Sequence, residues 1–349
     1  MQKIITGLAS YGMSGSVFHA PFLDVHPGFE LHTIVERSKN LARARYPHVQ
    51  IVRSFEALLD IPEIQLVVVN TPDTTHYDYV KLALLAGKHV VVEKPFVFDV
   101  SQGEELVRLA RKSGLVLAVY QNRRWDGDFL TVKKILESGV LGRVVEFQSA
   151  FQRYRNFIQP GTWKEKADQQ VGITYNLGSH MIDQAVQLFG MPQAVYADID
   201  RLRDGSEVDD YYFIKLIYPQ VKVLLRAGYL MREETPRYYL HGTEGSYVKQ
   251  GLDPQEECLK QGVIPTGAAW GKEAEANWGT LNATVSGLHY RGKIETLPGN
   301  YMAFYDDIHR SVTENQKALT DAEDVLQVIR IIQASFESEH TGEVVHLEG

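Results

Sequence analysis

The sequence predicts an α/β fold followed by an α+β fold: a doubly wound parallel sheet over residues 1–124, then a mostly antiparallel sheet interrupted by helices over 125–349. Three observations predict this. Short apolar runs alternate with helix-period segments through the first third, the pattern of βαβ units. A glycine-bearing turn follows the first apolar run. After about residue 124, alternating apolar and polar runs such as 143–154 and 210–218 take over, as expected of antiparallel strands with one face in water.

Taken in order, strands are expected near 3–9, 30–36, 50–52, 65–70, 88–92 and 115–120, with helices between them. The clearest helix is 102–113, where Ser101 and Glu104 have capping-box spacing and Gly114 supplies a left-handed stop. Gly87 closes a helix that begins near Thr75, and Pro21 sits in or kinks the helix after the first turn. Right-handed crossovers make a doubly wound sheet the simplest topology. Further on, helices are expected near 128–138, 174–189, 301–314 and 320–338, and the polar, glycine-containing stretch from about 250 to 300 reads as loop-rich.

Composition narrows the function classes. A chain of 349 residues exceeds what one core usually organises. Its 44% apolar and 23% charged content is that of a soluble globular protein. No apolar stretch approaches the roughly 18 residues of a membrane span. The start, Met1 to Ile5, runs into a strand pattern without a secretory succession, so a cytoplasmic protein is expected. A single cysteine, Cys258, excludes an internal disulfide and a cysteine-rich metal site. The histidines, including His26, His32 and His48, show no ligand spacing, so no metal is expected. A net charge of −8 argues against nucleic acid as a partner.

The residues that carry chemistry cluster at strand ends. After the first strand, Ser10-Tyr11-Gly12-Met13-Ser14-Gly15 would match the dinucleotide fingerprint if Ser10 were glycine. Gly12 then lets the backbone approach a pyrophosphate, and Gly15 lets the helix pack closely on the strand. Serine is tolerable at position 10 if the turn there keeps negative φ, and its hydroxyl is then available to a phosphate. Glu36 ends the second strand about twenty residues after Gly15, placed to accept from the adenosine ribose hydroxyls, which favours NAD. Arg37 and Ser38 follow at once and suit the extra phosphate of NADP, so both cofactors stay open. Glu93-Lys94-Pro95 follows the buried run Val90 to Val92 and puts an amine where ligands bind in open α/β sheets. Alone, Lys94 would read as a solvated surface lysine. Asn176 and His180 are four apart on a helix and share a face, with Asp183 three further on. Without a partner such a histidine reads as a satisfied core residue; Lys94 is the expected partner.

With Thr71-Pro72 closing the fourth strand and Asn122 the sixth, the order of features resembles the Gfo/Idh/MocA family of NAD(P)-dependent oxidoreductases over nearly the whole chain. The residues that carry the resemblance are Phe18-His19-Ala20-Pro21, the run from Gly87 to Pro95, Asn122-Arg123-Arg124-Trp125-Asp126 and Asn176-Leu177-Gly178-Ser179-His180. The chain is most similar to the branch containing scyllo-inositol dehydrogenases. The resemblance implies a Rossmann domain, and then an open-faced sheet domain with helices on one face that holds substrate and mediates homo-oligomerisation. It implies a cis Lys94-Pro95 bond, with Lys94 beside the nicotinamide. It also implies a cofactor groove lined by Ser10, Gly12, Met13, Ser14, Gly15, Glu36, Arg37, Thr71, Pro72, His76, Glu93, Lys94 and Asn122, with Trp163 reaching the carboxamide.

The implied reaction is reversible oxidation of a secondary alcohol on a cyclic polyol or sugar, with Lys94, His180 and Asn176 catalytic. Lys94, Tyr154, Arg155, Trp163, Asn176 and His180 would hold substrate. Many family members carry aspartate where Asn176 stands; asparagine orients the imidazole without supplying charge and shifts more of the proton transfer to Lys94. That departure keeps two alternatives in view: a dinucleotide-binding regulator without turnover, and an NAD-dependent glycosidase of the same family.

Overall fold

The computed structural model describes residues 3–162, 165, 166 and 171–347. They form two compact units. The first comprises residues 1–125, 254–270 and 300–326; the second comprises 126–253, 271–299 and 327–349. The sequence pattern ends the first domain at 124 and shows no sign of the two later segments that return to it.

The first unit is built on six parallel strands: β1 (Ile4–Leu8), β2 (Phe29–Val35), β3 (Gln50–Val52), β4 (Leu66–Val69), β5 (His89–Val92) and β6 (Leu117–Val119). Their order is β3-β2-β1-β4-β5-β6, the doubly wound arrangement whose switch point lies between β1 and β4. All four residues of β4 and the three valines of β5 are buried, because a parallel sheet covered by helices on both faces leaves no polar side. The helices are α1 (Ala20–Val25), α2 (Ala42–Arg45), α3 (Phe55–Leu59), α4 (His76–Leu85) and α5 (Val100–Ser113). A π-helical turn, Gly15–His19, precedes α1 and delivers Pro21 to its first turn, where a missing N–H costs little.

Helix α5 corrects one expectation. Its N-cap is Asp99, in extended conformation with the carboxylate accepting from the Ser101 N–H at 2.7 Å; Ser101 lies inside the helix. A carboxylate adds charge to the cap at the positive end of the helix, an advantage a serine hydroxyl lacks. The stops behave as expected, with Gly87 at φ 73° and Gly114 at φ 64°.

The second unit holds helices α6 (Gly127–Glu137) and α7 (Ser179–Phe189) and a nine-stranded mixed sheet. Its strands are β7 (Val144–Gln152), β8 (Ala194–Asp200), β9 (Tyr211–Ile217), β10 (Lys222–Gly228), β11 (Tyr238–Gly242), β12 (Gly245–Lys249), β13 (Gly279–Val285), β14 (Leu288–Ile294) and β15 (Val345–His346). All neighbouring pairs are antiparallel except β7 with β10. Along β9, Tyr212, Ile214 and Leu216 are buried while their neighbours are half-exposed, the period-2 signature of a sheet packed on one face. The stretch 250–300 is not all loop: it contains α8 (Gln255–Lys260) and the β13–β14 hairpin, whose turn has Ser286 and Gly287 at φ 50° and 79°. The hairpin escaped notice because β14 is mostly exposed on both faces and carries no apolar period. Only Ser286-Gly287 marks it. Helices α8 and α9 (Met302–Glu314) belong to the first unit, and α10 (Ala322–Thr341) spans the boundary at 326. No helix among the described residues is long and apolar enough to cross a membrane.

The cap assignment has a direct test in denaturant unfolding. Asp99→Ala is expected to cost about 1 kcal/mol at neutral pH, and Ser101→Ala no more than a few tenths. The hydrogen bonds from Ser101 hold the Asp99 carboxyl below its usual range, so the difference should vanish as pH falls below that range.

Candidate active site

In the first unit the turn after β1 is fastened from two sides. The Ser10 hydroxyl oxygen accepts from the Gly12 N–H at 3.1 Å, and the Asn70 Nδ2, just past β4, donates to the Ser10 carbonyl at 2.9 Å. Ser10 keeps negative φ, which is why serine is accepted where the fingerprint has glycine. Gly15 has no such latitude: a Cβ there would lie 2.3 Å from the Ser10 carbonyl oxygen and 2.7 Å from Asn70 Nδ2. Around Gly12 the space is open, with only Ser10 Oγ within 3.5 Å, and Met13 beside it is 54% exposed. The turn therefore presents uncovered backbone at the C-terminal edge of β1, the feature a pyrophosphate requires.

The centre of this region is Glu93, at the end of β5. One carboxylate oxygen accepts from the Ser14 hydroxyl and from His19 Nε2 at 3.0 Å; the other accepts from the Lys94 N–H at 3.2 Å. The Glu93 side chain is only 12% exposed, and burial alone would push its pKa up. The His19 hydrogen bond and charge, the Ser14 hydroxyl and the Lys94 charge outweigh that and bring it down to about 2. A carboxyl depressed in this way stabilises the fold above its unfolded pKa, and the contribution is lost only as pH falls toward about 2. The Lys94-Pro95 bond is cis.

Other expected groove residues are placed less directly. His76 is fully buried, its Nδ1 2.8 Å from the Pro95 carbonyl and its Nε2 3.2 Å from the Thr71 carbonyl. It ties the loop after β4 to the loop after β5. Thr71 bonds Thr75 through their hydroxyls at 2.6 Å, Pro72 is exposed, and Asn122 is buried at the head of a 3-10 turn. Glu36 is bonded locally. Its two oxygens accept from the Leu41 and Ala42 N–H groups at 2.9 and 3.1 Å, so the carboxylate caps α2, while Arg37 and Ser38 are exposed beside it.

In the second unit Asn176 lies in a π-helical turn, Thr174–Gly178, that runs into α7. Asp209 anchors the entry: its carboxylate accepts from the Thr174 N–H at 2.7 Å and its carbonyl from the Ile173 N–H at 2.9 Å. Burial pushes the Asp209 carboxyl up against the lowering effect of those Thr174 bonds. Residue 172 must be glycine, since a Cβ there would lie 1.9 Å from Asp209 Oδ1. Asn176 is half-buried, and His180 and Asp183 are buried in α7. Tyr154 is exposed, with the Arg232 guanidinium 4.1 Å from its ring centre and Asn156 donating to its hydroxyl at 3.2 Å. The Arg155 guanidinium lies over the Tyr229 ring at 5.4 Å. Trp163 falls outside the described residues.

Sequence reasoning missed three features. His19 was quoted only as part of a motif, and Tyr305 stands 286 residues away from it in the chain. Arg203 is buried with Glu165 and Asp210, donating to both at 2.8 Å and to the Phe157 carbonyl at 2.8 Å. No local pattern marks it, because the stretch from Asp200 to Asp210 is mostly charged.

Comparison with known proteins agrees with this fold. Residues 4–121 match the model of the oxidoreductase family NAD-binding Rossmann fold, and 133–347 that of the oxidoreductase family C-terminal alpha/beta domain. The chain is 38% identical over 351 residues to a scyllo-inositol 2-dehydrogenase (NADP(+)) of Bacillus subtilis, covering 100% of this chain and 97% of that one. It is 41% identical to an uncharacterised oxidoreductase of Escherichia coli, over 96% of each chain. The crystal structure of an oxidoreductase from Bacillus cereus superposes with a TM-score of 0.91 at 34% identity, covering 99% of both chains.

Gly15→Ala is expected to destabilise the chain by about 1–3 kcal/mol, because the new methyl meets backbone that cannot move. Ser10→Gly should change stability by less than about 1 kcal/mol. Parallel thermal and denaturant melts of the two variants check the contrast.

Proposed function

Because this chain belongs to the Gfo/Idh/MocA family of oxidoreductases, we propose that it oxidises, reversibly, a secondary alcohol of a cyclic polyol or sugar of the inositol type, with NADP as the preferred cofactor. The observation that carries the reaction class is the Glu93 cluster, in which one carboxylate holds both the phosphate-facing turn and the catalytic lysine's backbone. The substrate class draws support from the Bacillus subtilis relative, whose name gives scyllo-inositol and NADP.

The preference for NADP over NAD reverses the expectation from sequence, and Glu36 is the reason. With both oxygens engaged by Leu41 and Ala42 N–H groups, this carboxylate is turned toward α2, and exposed Arg37 and Ser38 supply a guanidinium and a hydroxyl for a 2′-phosphate. The residues present fit a dinucleotide: open backbone at Gly12, glycine-only packing at Gly15 and strand order with its switch point at β1 and β4.

When bound, the nicotinamide supplies hydride transfer. Lys94 stabilises the charge that develops on the reacting oxygen and relays its proton. His180 serves as general base, and Asn176 sets its tautomer without adding charge. Tyr154, Arg155 and Trp163 hold substrate hydroxyl groups.

A panel of polyols and aldoses assayed with both oxidised cofactors tests the reading through the rise in reduced-nicotinamide absorbance. Turnover of an inositol or sugar is expected, with kcat/KM at least about tenfold higher for NADP. Arg37→Ala should shrink that preference, and Lys94→Ala should lower kcat by about a hundredfold or more. Binding without turnover across the panel would favour the regulator, and sugar release without net cofactor reduction the glycosidase. Equal rates for the Lys94→Ala variant and the wild type would remove the catalytic assignment.

A further inference from the structure

We propose that His19 is a positioning residue for the oxidoreductase reaction, acting through Glu93 to hold the phosphate-facing turn and the Lys94 backbone in one fixed relation. The inference deepens the reading above and rests on the first unit binding a dinucleotide.

His19 is fully buried. Its ring lies between two polar groups, with Nε2 3.0 Å from a Glu93 oxygen and Nδ1 2.7 Å from the Tyr305 hydroxyl. The carboxylate only accepts, so Nε2 donates to it, while Nδ1 shares its hydrogen bond with the Tyr305 hydroxyl, which also lies 3.4 Å from the Phe18 carbonyl. Burial, with the nearby Tyr120 hydroxyl and Glu93 charge, keeps the Tyr305 phenol protonated far above neutral pH, so it remains a donor. Tyr120 fixes the ring from the side, at 4.4 Å between centres, and its own hydroxyl is bonded to the Phe18 carbonyl at 3.0 Å.

The result is a chain of contacts running from α9 through the π-helical turn to the end of β5. Groups facing Glu93 come from each neighbouring element: His19 and Ser14 from the turn, Lys94 from its own loop, Tyr305 from α9, with Tyr120, just past β6, behind the imidazole. Of these, His19 is the one that both bonds the carboxylate and is itself immobilised. Removing its donor leaves a buried carboxylate with one hydroxyl and one backbone N–H, and such a group takes up a proton more readily. A protonated Glu93 no longer accepts from Ser14 and Lys94 together, and the turn loses its tie to the lysine.

Two near-isosteric variants separate this role from simple packing. In His19→Gln the amide nitrogen falls near the position of Nε2 and still donates to Glu93. In His19→Asn the amide falls near Nδ1, keeps the contact with Tyr305 and loses Glu93. Calorimetric titration with oxidised NADP and NAD, between about pH 5.5 and 8, reads the outcome as the ratio of variant to wild-type Kd, which cancels titration of the ligand itself.

His19→Gln is expected to bind within about threefold of wild type. His19→Asn should bind about tenfold more weakly near neutral pH, with the ratio widening as pH falls and Glu93 takes up its proton. A ratio for His19→Asn that is flat with pH, or near one throughout, overturns the proposal. Should that variant not fold, Ser14→Ala removes another donor to the same oxygen and carries the same test: a ratio that widens toward low pH supports the role of Glu93, and a flat one overturns it. Wild-type protein that binds neither dinucleotide refutes the functional reading itself, whereas wild-type binding with flat ratios refutes only the role of His19.

Discussion

A single buried carboxylate organises the first unit. Glu93 sits where β5 ends and accepts from Ser14 in the turn after β1, from His19 in the same turn and from the backbone of Lys94. Without these donors it would be an uncompensated charge inside the protein, which costs several kcal/mol or forces protonation. With them it remains ionised and joins two loops that are 79 residues apart in the chain. The surrounding architecture serves this junction: the buried, valine-rich strands β4 and β5 form its floor, Gly15 lets the turn approach, and Asn70 and His76 fix the loop after β4.

The second unit solves its own positioning problem by a similar device. Asp209 caps the π-helical turn that carries Asn176, and Gly172 makes room for that carboxylate. Arg203 binds Glu165 and Asp210 together with the Phe157 carbonyl, so segments remote in sequence share one cation. Lys94 and Asn176 lie on short, irregular segments, and buried ionic groups hold those segments against regular strands and helices. Such groups are costly to bury unpaired, so each arrangement tolerates few alternatives.

Much of the fold was legible because its signals are local. The runs Val67–Val69 and Val90–Val92 read as parallel strands because both of their faces are covered, and Gly87 and Gly114 read as stops because only their left-handed φ ends the helices cleanly. The Glu93-Lys94-Pro95 element was legible for the same reason: a charge directly after an apolar run calls for a partner. What was not legible depends on distant chain. Tyr305 reaches His19 only because 300–326 returns to the first unit. The β13–β14 hairpin carries no apolar period because its outer strand is solvated. The bonds from Glu36 to the Leu41 and Ala42 N–H groups were not legible either, because the four-residue helix that starts there is too short to leave a pattern.

The central claim is that Glu93 is held ionised by its three neighbours. Carbon-13 NMR of glutamate-labelled protein, with the Glu93 carboxyl resonance assigned by its loss in Glu93→Gln, tests it most directly. The account predicts that this resonance stays in its ionised position throughout acid titration of the folded protein, consistent with a pKa of about 2. Protonation in the folded state with a midpoint near the ordinary glutamate value of about 4.3 would contradict it.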